Sequence, residues 1–491
     1  MQEAEKNGNP RASRPVFGWR WGRWAPGGAG APRRDARAGR SLAARRFLWT
    51  ALLLVPLLLV PAACRPVPAE GAPNIVILVS DDQDYEHFSF AGHPLAHTPT
   101  IDALAASGQR FDNVFVPVSR CRPAQAALLS GQWPHQSGVY YNFGADHIDP
   151  ATSIANRLNE AGYVSFGEGK FWEHDPRLMG FESYTIRNYE TFGREGQDHL
   201  FAWLEGLERD QPFFLWWAPM LPHTPHDPPP RHLEAVDPAA IPIPDYVQPQ
   251  YVEEFRRKEH LSLAMVRWLD ESVATLLEEL ERLGELEDTL FLFLVDNGWA
   301  NGLPSKGTAY DKGLKTPAIL SWKGGLAAGG VHEGLVSAVD LYATLLDFAE
   351  ARPATDCAGV SLRPLLEGNE EDAFRGRDTL FGAVYTYTPA EVWADPARDA
   401  YALWARTDRH KYVFYLRDVA RQDNELLRLQ AIACPYPSWQ RGEEELFDLV
   451  EDPYETRNLA DRPELAEIRV SLREQVLAWW RETGGGELTL P

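Results

Sequence analysis

Two apolar runs of strand length each end on a pair of oxygen-bearing side chains. Pro73-Asn74-Ile75-Val76-Ile77-Leu78-Val79-Ser80 leads into Asp81-Asp82, and Thr289-Leu290-Phe291-Leu292-Phe293-Leu294-Val295 leads into Asp296-Asn297. A run this short and continuously apolar has no face to give to water, so it is predicted as a strand buried on both sides, the situation of parallel strands covered by helices. Helical signals lie between such runs. Thr98–Gly108 offers a cap, a proline in the first turn and a closing glycine; the Ala- and Leu-rich segment after Cys121, Thr152–Gly162 and Tyr251–Gly284 also read as helices. Phe111–Val118, Tyr163–Gly167 and Pro212–Ala218 add strands. The alternation predicts an α/β fold, a mainly parallel mixed sheet sandwiched by helices. In such sheets ligands bind beyond the carboxyl ends of the strands, where both acidic pairs fall.

At Gly368–Arg377, acidic and glycine-containing, the pattern changes. Leu380–Tyr385, Tyr401–Thr407, Lys411–Leu416 and Glu445–Leu449 read as strands of the antiparallel kind, and Pro463–Thr483 as a closing helix. The expected organisation is a main domain over 73–370 and a smaller C-terminal α+β subdomain over 371–491. Within the main domain, Pro225–Pro249 reads as a long surface loop.

The start of the chain reads differently. Residues 1–46 carry eleven Lys and Arg against three acids and no apolar periodicity, a basic non-structural leader. Residues 47–64 follow Arg45-Arg46, are leucine-rich and uncharged, and are interrupted by Pro56 and Pro61, short of the roughly 20 apolar residues of a spanning helix. That is the profile of a signal peptide or, with Ala62-Ala63-Cys64, of a lipoprotein signal that places a lipid anchor on Cys64. The expected location is outside the cytoplasm: periplasmic, membrane-anchored as a lipoprotein, or extracellular.

Charge excludes one class of partner. The net charge of −22 becomes −30 from Cys64 onward, which argues against nucleic acid. An anionic substrate therefore needs positive charge concentrated locally. Of four cysteines, Cys357 and Cys434 could pair and Cys64 could carry lipid, leaving Cys121 as the odd thiol.

A lone Asp-Asp reads as a solvated loop or a helix cap, but two oxygen pairs, each after a buried strand, suit a hard divalent cation such as Ca²⁺ or Mg²⁺. Cys121 would ordinarily be a packing residue. Here it lies between Arg120 and Arg122 at the approach to a helix, where free N–H groups favour an anion. Lysines and histidines follow in order: Gly169-Lys170-Phe171-Trp172-Glu173-His174, Leu221-Pro222-His223-Thr224-Pro225-His226 and Ser305-Lys306-Gly307-Thr308. Each singly has a bland reading as a surface charge or a packed loop residue.

From Pro73 to about Leu366 these motifs together resemble the formylglycine-dependent sulfatases of the alkaline phosphatase superfamily. Leu446-Phe447-Asp448-Leu449-Val450-Glu451-Asp452-Pro453-Tyr454-Glu455-Thr456-Arg457-Asn458-Leu459 is similar to that family's C-terminal signature. The resemblance implies an alkaline-phosphatase-like fold, with Asp81, Asp82, Asp296 and Asn297, joined by the side chain at Cys121, holding a calcium ion. Cys121 would be oxidised by a maturation enzyme to formylglycine, whose hydrate attacks a sulfate ester. Lys170, His223 and Lys306 would surround the sulfate group of a sulfated small molecule or polysaccharide. Two positions depart from the pattern. Gln125 stands where the family has arginine, at a substrate-facing position, keeping hydrogen bonding without charge. Trp172 and Glu173 stand where it has histidine, with His174 one residue further as the catalytic candidate. Two other readings stay open: a phosphate mono- or diester hydrolase on the same scaffold, and a sulfated-glycan-binding homologue in which Gln125 blocks maturation.

Overall fold

The computed structural model describes residues 68–69, 71–142, 147–173, 175–186, 196–208, 211–369, 374–385, 395–419 and 438–490. The leader, the apolar segment, Cys64, His174 and Cys434 lie outside them, as therefore does the suggested pairing of Cys357 with Cys434. Among the described residues no helix is long and apolar enough to cross a membrane.

Nine strands build the main sheet: β1 (Asn74–Ser80), β2 (Gln109–Phe115), β3 (Val164–Gly169), β4 (Ser183–Ile186), β5 (Phe213–Ala218), β6 (Thr289–Val295), β7 (Lys315–Ser321), β8 (Gly330–His332) and β9 (Val336–Ser337). Their order is β4-β3-β5-β1-β6-β7-β2-β8, with β9 beside β2. The first five run parallel, β7 runs against both β6 and β2, and β2 therefore points the same way as β6. The sheet is mixed and mainly parallel, as expected.

The apolar runs bury both faces because their side chains alternate between two cores. Ile75, Ile77 and Val79, with Leu290, Leu292 and Leu294, pack against the Cys121–Ser130, Ile154–Glu160 and Ala338–Phe348 helices. Val76 and Leu78, with Phe291, Phe293 and Val295, pack against Pro99–Ser107 and the 32-residue Val252–Leu283 helix. That helix lays Met265, Leu269, Val273, Leu276 and Leu280 along one stripe and closes at Gly284, whose φ of +81° suits glycine. Trp216 and Trp217 sit in these cores at 0% and 1% exposure, so they are packing residues. Pro225–Pro249 is less irregular than its composition implies: Pro230–Glu234 and Pro238–Ala240 are short helical segments, because proline is favourable in a first helical turn.

A second, antiparallel sheet follows: β10 (Leu380–Tyr385), β11 (Ala400–Arg406), β12 (His410–Tyr415) and β13 (Glu444–Asp448), in that order. Alternation again gives it two covered faces. Ala402, Trp404, Val413 and Phe447 pack with Phe115, Tyr310 and Leu314 of the main sheet region, while Leu403, Tyr412 and Leu446 pack with Leu472, Val476 and Trp480 of the Ala466–Glu482 helix.

Candidate active site

Five strand ends meet at one edge. β1 and β6 are adjacent and in register from Asn74 opposite Thr289 to Ser80 opposite Val295, so Asp81-Asp82 and Asp296-Asn297 emerge side by side. Backbone bonds carry this alignment past the strand ends: Asp296 N–H donates to Ser80 O at 2.9 Å, Asp81 N–H to Leu221 O at 3.0 Å, and Lys170 N–H to Ala218 O at 2.9 Å. Lys170 follows β3, His223 follows β5, and Cys121 opens the helix after β2. Asp82 is held at φ +58°, a left-handed conformation that a non-glycine residue adopts only at a cost of about 1–3 kcal/mol, and it turns the chain at the centre of the site.

The loop carrying Lys306 is pinned from two sides. Gly307 N–H donates to Ser119 O at 2.7 Å, and Gly298 N–H to Gly313 O at 2.9 Å. A Cβ at Gly313 would stand 2.2 Å from Ser305 O, so only glycine permits that approach. From the second sheet, the Tyr401 hydroxyl donates to Gly307 O. Arg406 Nε and Lys411 Nζ hold the Asp311 carboxylate at 3.1 and 2.9 Å. Burial opposes the ionisation of Asp311, but Lys411 and Arg406 bring it down to about 2.

In the centre, one oxygen each of Asp81, Asp82 and Asp296 and the sulfur of Cys121 all lie within 4.8 Å of one another. Lys170 Nζ donates to Asp81 Oδ1 at 2.6 Å and to Asp296 Oδ2 at 3.3 Å. Lys306 Nζ donates to Asp82 Oδ1 at 2.5 Å and to Cys121 Sγ at 2.8 Å. Gln125 Nε2 donates to Asp296 Oδ2 at 2.9 Å, and Asn297 Nδ2 to Asp82 Oδ1 at 2.8 Å. His223 Nε2 is 3.2 Å from Asp82 Oδ2, and its Nδ1 is 2.6 Å from the carbonyl of Thr224. A carbonyl only accepts, so Nδ1 carries a proton, and Nε2 is the ring nitrogen that faces the site beside the Asp82 carboxylate. Thus the structure brings every metal and substrate candidate except His174, outside the described residues, into one cluster.

The charges of this cluster leave room for another cation. Three buried carboxylates face two buried ammonium groups, a deficit of one positive charge. Burial and then the Asp296 charge push the Asp81 carboxyl well above the usual range. Burial also opposes ionisation of Asp82, yet Lys306 and His223 hold it below that range. Lys170, despite burial, is raised by Asp296 and Asp81. His223 is lowered to about 4, chiefly by burial, and is neutral at pH 7. The Cys121 thiol is pushed up to about 12, burial outweighing the two lysines. As it stands that thiol is not a nucleophile at neutral pH.

The donor set fits a hard divalent ion. Asp81 Oδ2 and Asn297 Oδ1 are buried acceptors without a hydrogen-bond partner, an expensive condition that a cation bound among oxygens relieves.

Three features escaped the sequence reading. Arg122, whose Nε donates to Glu173 Oε1 at 3.1 Å, and Glu173, which also takes the Ile148 N–H at 3.1 Å, form a buried pair joined by His147. Arg122 is thus engaged by Glu173 and His147. Trp172 and Trp299 flank the lysines: Lys170 Nζ is 5.6 Å from the Trp172 ring centroid and Lys306 Nζ 5.9 Å from that of Trp299. Bracing of the Lys306 loop by Tyr401, Arg406 and Lys411 joins residues about a hundred positions apart, for which periodicity carries no signal.

Comparison with known proteins agrees with this architecture. The Sulfatase family model matches residues 73–351, and the model for the N-sulphoglucosamine sulphohydrolase C-terminal region matches residues 300–431. Arylsulfatase A of Homo sapiens is 30% identical over 461 residues, covering 79% of this chain and 83% of the relative. Among solved structures, BT4656 in complex with its substrate D-glucosamine-2-N,6-O-disulfate superposes with a TM-score of 0.68 at 21% identity, covering 85% of this chain and 99% of that one. The phosphonate monoester hydrolase of Agrobacterium radiobacter superposes with a TM-score of 0.65 at 19% identity, covering 84% and 96%. These two structural likenesses establish the shared fold.

Proposed function

The chain belongs to the sulfatase family and is a sulfuric ester hydrolase; from that premise we propose that it is an exported enzyme that removes sulfate from a sulfated carbohydrate or aryl ester, with Cys121 as the precursor of formylglycine. The observation that carries this reading is the convergence of the three carboxylates and the Cys121 sulfur within 4.8 Å, between two buried lysines. A thiol pushed up to about 12 is a poor nucleophile, so chemistry at position 121 calls for its conversion to an oxygen nucleophile. The sulfated-sugar substrate class follows the BT4656 complex.

Asp81, Asp82, Asp296 and Asn297 would hold Ca²⁺, with Mg²⁺ as the alternative ion. When bound, the ion supplies Lewis-acid polarisation, and the formylglycine hydrate supplies a hydroxyl group for attack on sulfur. The chain's own residues do the rest. Lys170 and Lys306 would place positive charge beside the non-bridging sulfate oxygens from buried positions, where it counts most. Once a divalent cation joins them, the positive charge exceeds that of the three carboxylates and an anionic ester is drawn in. His223, its Nδ1 proton tied to Thr224 O, exchanges protons only at Nε2, the atom placed to serve the leaving alcohol oxygen. Gln125 holds Asp296 by a neutral donor where the family has a cation.

Export rests on the apolar segment 47–64, with a lipid anchor at Cys64 as its membrane-bound form, and formylglycine formation requires a maturation enzyme as a partner. The phosphonate monoester hydrolase fold supports one rival, a phosphate ester hydrolase on this scaffold.

The test is turnover of 4-nitrophenyl sulfate against 4-nitrophenyl phosphate, before and after EDTA, with the mass of the Cys121 peptide from protein made in its own host. The expected result is sulfate turnover, lost on chelation and restored by Ca²⁺, and an aldehyde or its hydrate at position 121. Undiminished turnover without metal sinks the metal assignment, preference for the phosphate sinks the sulfatase reading, and an unmodified thiol points to the binding homologue.

A further inference from the structure

The two loops that carry the candidate metal ligands are tied together a second time, outside the ligand cluster, by a carboxylate from a third element. Glu259 lies near the start of the Val252–Leu283 helix and is buried at 6% exposure. Its Oε1 is 2.6 Å from His87 Nε2, and its Oε2 accepts from Asn301 Nδ2 at 2.5 Å. His87 closes the short turn Tyr85–His87, five residues beyond Asp82 in the loop after β1. Asn301 stands four residues beyond Asn297 in the loop after β6, and five before Lys306. Both are buried, at 3% and 7% exposure. One carboxylate thus spans the loops that supply Asp81, Asp82, Asp296 and Asn297.

The pair with His87 is ionic and neutral as a whole. Burial works against the His87 imidazolium, but the Glu259 charge outweighs it and raises the group above its ordinary value, with Asp84 and Lys312 facing it from opposite signs. Burial likewise opposes ionisation of Glu259, yet the His87 charge and the hydrogen bonds from His87 and Asn301 bring it down to about 2. His93 also faces this carboxylate. Its Nδ1 accepts from the N–H groups of Leu95 and Ala96 at 3.1 Å, so its proton sits on Nε2, 3.9 Å from Glu259 Oε1, and burial and the His87 charge keep it neutral.

The side-chain ties between the same loops inside the site are of another kind. Asp82 N–H donates to Asp296 Oδ1 at 3.2 Å, Asn297 Nδ2 to Asp82 Oδ1 at 2.8 Å, and Lys306 Nζ to Asp82 Oδ1 at 2.5 Å. Each ends on a carboxylate that a cation would draw to itself, so these bonds compete with the ion. The Glu259 bonds involve no candidate ligand and persist when it enters. Outer groups that fix the placement of ligands are worth about 10–100-fold in metal affinity. We propose that Glu259 is a positioning residue for the cation: through His87 and Asn301 its carboxylate sets the spacing of the two ligand-bearing loops, and calcium affinity depends on it although it is no ligand. The proposal rests on the metal-dependent sulfatase reading above and deepens it.

Calorimetric titration of Ca²⁺ into the full chain, stripped with EDTA and dialysed, tests it, with folding of each variant checked by melting in EDTA. Asn301→Ala changes no charge and leaves the His87–Glu259 pair in place, and is expected to weaken calcium binding about tenfold. Glu259→Ala should weaken it at least as much, and adding Asn301→Ala to it should change nothing further, since both remove one tie. Glu259→Gln, which bonds His87 and, with the Asn301 amide turned over, Asn301 as well, should stay within about threefold of the parent. Leu276→Ala, at a fully buried position 17 residues further along the same helix, should lower the melting temperature by opening a core cavity and leave calcium affinity unchanged. The proposal is overturned if folded Asn301→Ala binds calcium as the parent does, if Glu259→Gln is as weak as Glu259→Ala, or if Leu276→Ala weakens binding equally. A parent chain that takes up no calcium overturns the metal assignment and this proposal together, whereas a parent that binds, with variants that bind alike, overturns the role of Glu259 alone.

Discussion

The side-chain amide of Gln125 donates to Asp296 Oδ2 at 2.9 Å, on the same oxygen that Lys170 approaches at 3.3 Å. A neutral residue thus occupies one side of a buried carboxylate in a site already one positive charge short. Removing the donor leaves that oxygen to Lys170 alone. Gln125→Leu is expected to cost about 1.5–3 kcal/mol, the range for a hydrogen bond to a charged group. Gln125→Glu should cost more, since it sets like charges together. Urea unfolding in EDTA, with midpoints compared at constant slope, reads both.

Calcium should stabilise the folded chain. An ion that binds only the native state adds about 2.7 kcal/mol at a hundred times its dissociation constant. Asp81→Asn removes the charge at one of the two acceptors that lack partners and Asn297→Ala removes the other acceptor, and each should shrink the calcium-dependent rise in melting temperature. A rise of equal size in Asp81→Asn would place the ion elsewhere.

Cys121 in chain made without maturation should resist alkylation. With the thiol at about 12, only about one molecule in ten thousand is thiolate at pH 8. Iodoacetamide labelling followed by mass is expected to be negligible in the native protein, to climb as pH rises, and to proceed readily in urea. Prompt labelling of the native protein at pH 8 would contradict the buried placement.

Arg122 and Glu173 are 4% and 1% exposed at their side chains. Arg122→Met strands the Glu173 carboxylate and should destabilise by about 3–5 kcal/mol. Arg122→Met with Glu173→Met removes both charges and is expected to recover much of that loss. A double-mutant cycle by chemical denaturation gives the coupling.

His135 lies 4.9 Å from the Trp480 ring and 5.2 Å from that of Trp479, and burial lowers it from 6.5 to about 4. The unfolded chain therefore takes up a proton at higher pH than the folded one. Stability is unaffected above pH 6.5 and is lost as pH falls from 6.5 towards 4, by about 3 kcal/mol for this group. His135→Gln should flatten that part of the stability profile relative to the parent chain, as read by unfolding at pH 7, 5.5 and 4.

Much of the main sheet was legible because its signals are local. Continuous apolar runs such as Thr289–Val295 cannot be anything but doubly covered, and both ended where the structure ends them. The proline-rich segment was less legible, since the same prolines that break helices also begin the short ones at Pro230 and Pro238. At the site, residue type and position after a strand pointed to the acidic pairs, whereas Lys170, His223 and Lys306 were singled out only through the family resemblance. Nothing in that pattern foretold that Glu173 would be taken by Arg122 and His147, because a partner across the fold leaves no periodicity.

By itself the sequence determined the layers and the side on which chemistry gathers: buried parallel strands must end in loops on one edge, and the polar pairs stand directly after those ends. Only the tertiary structure decided what the polar groups do to each other. Register placed Asp81 beside Asp296, the loop from β6 to β7 brought Lys306 onto Cys121, and the second sheet locked that loop through Tyr401 and Asp311. The physical reason is range. Propensity and alternation act within a few residues, whereas the balance of three carboxylates against two lysines, and the fate of a thiol among them, depends on distances of a few ångströms between strands far apart in the chain.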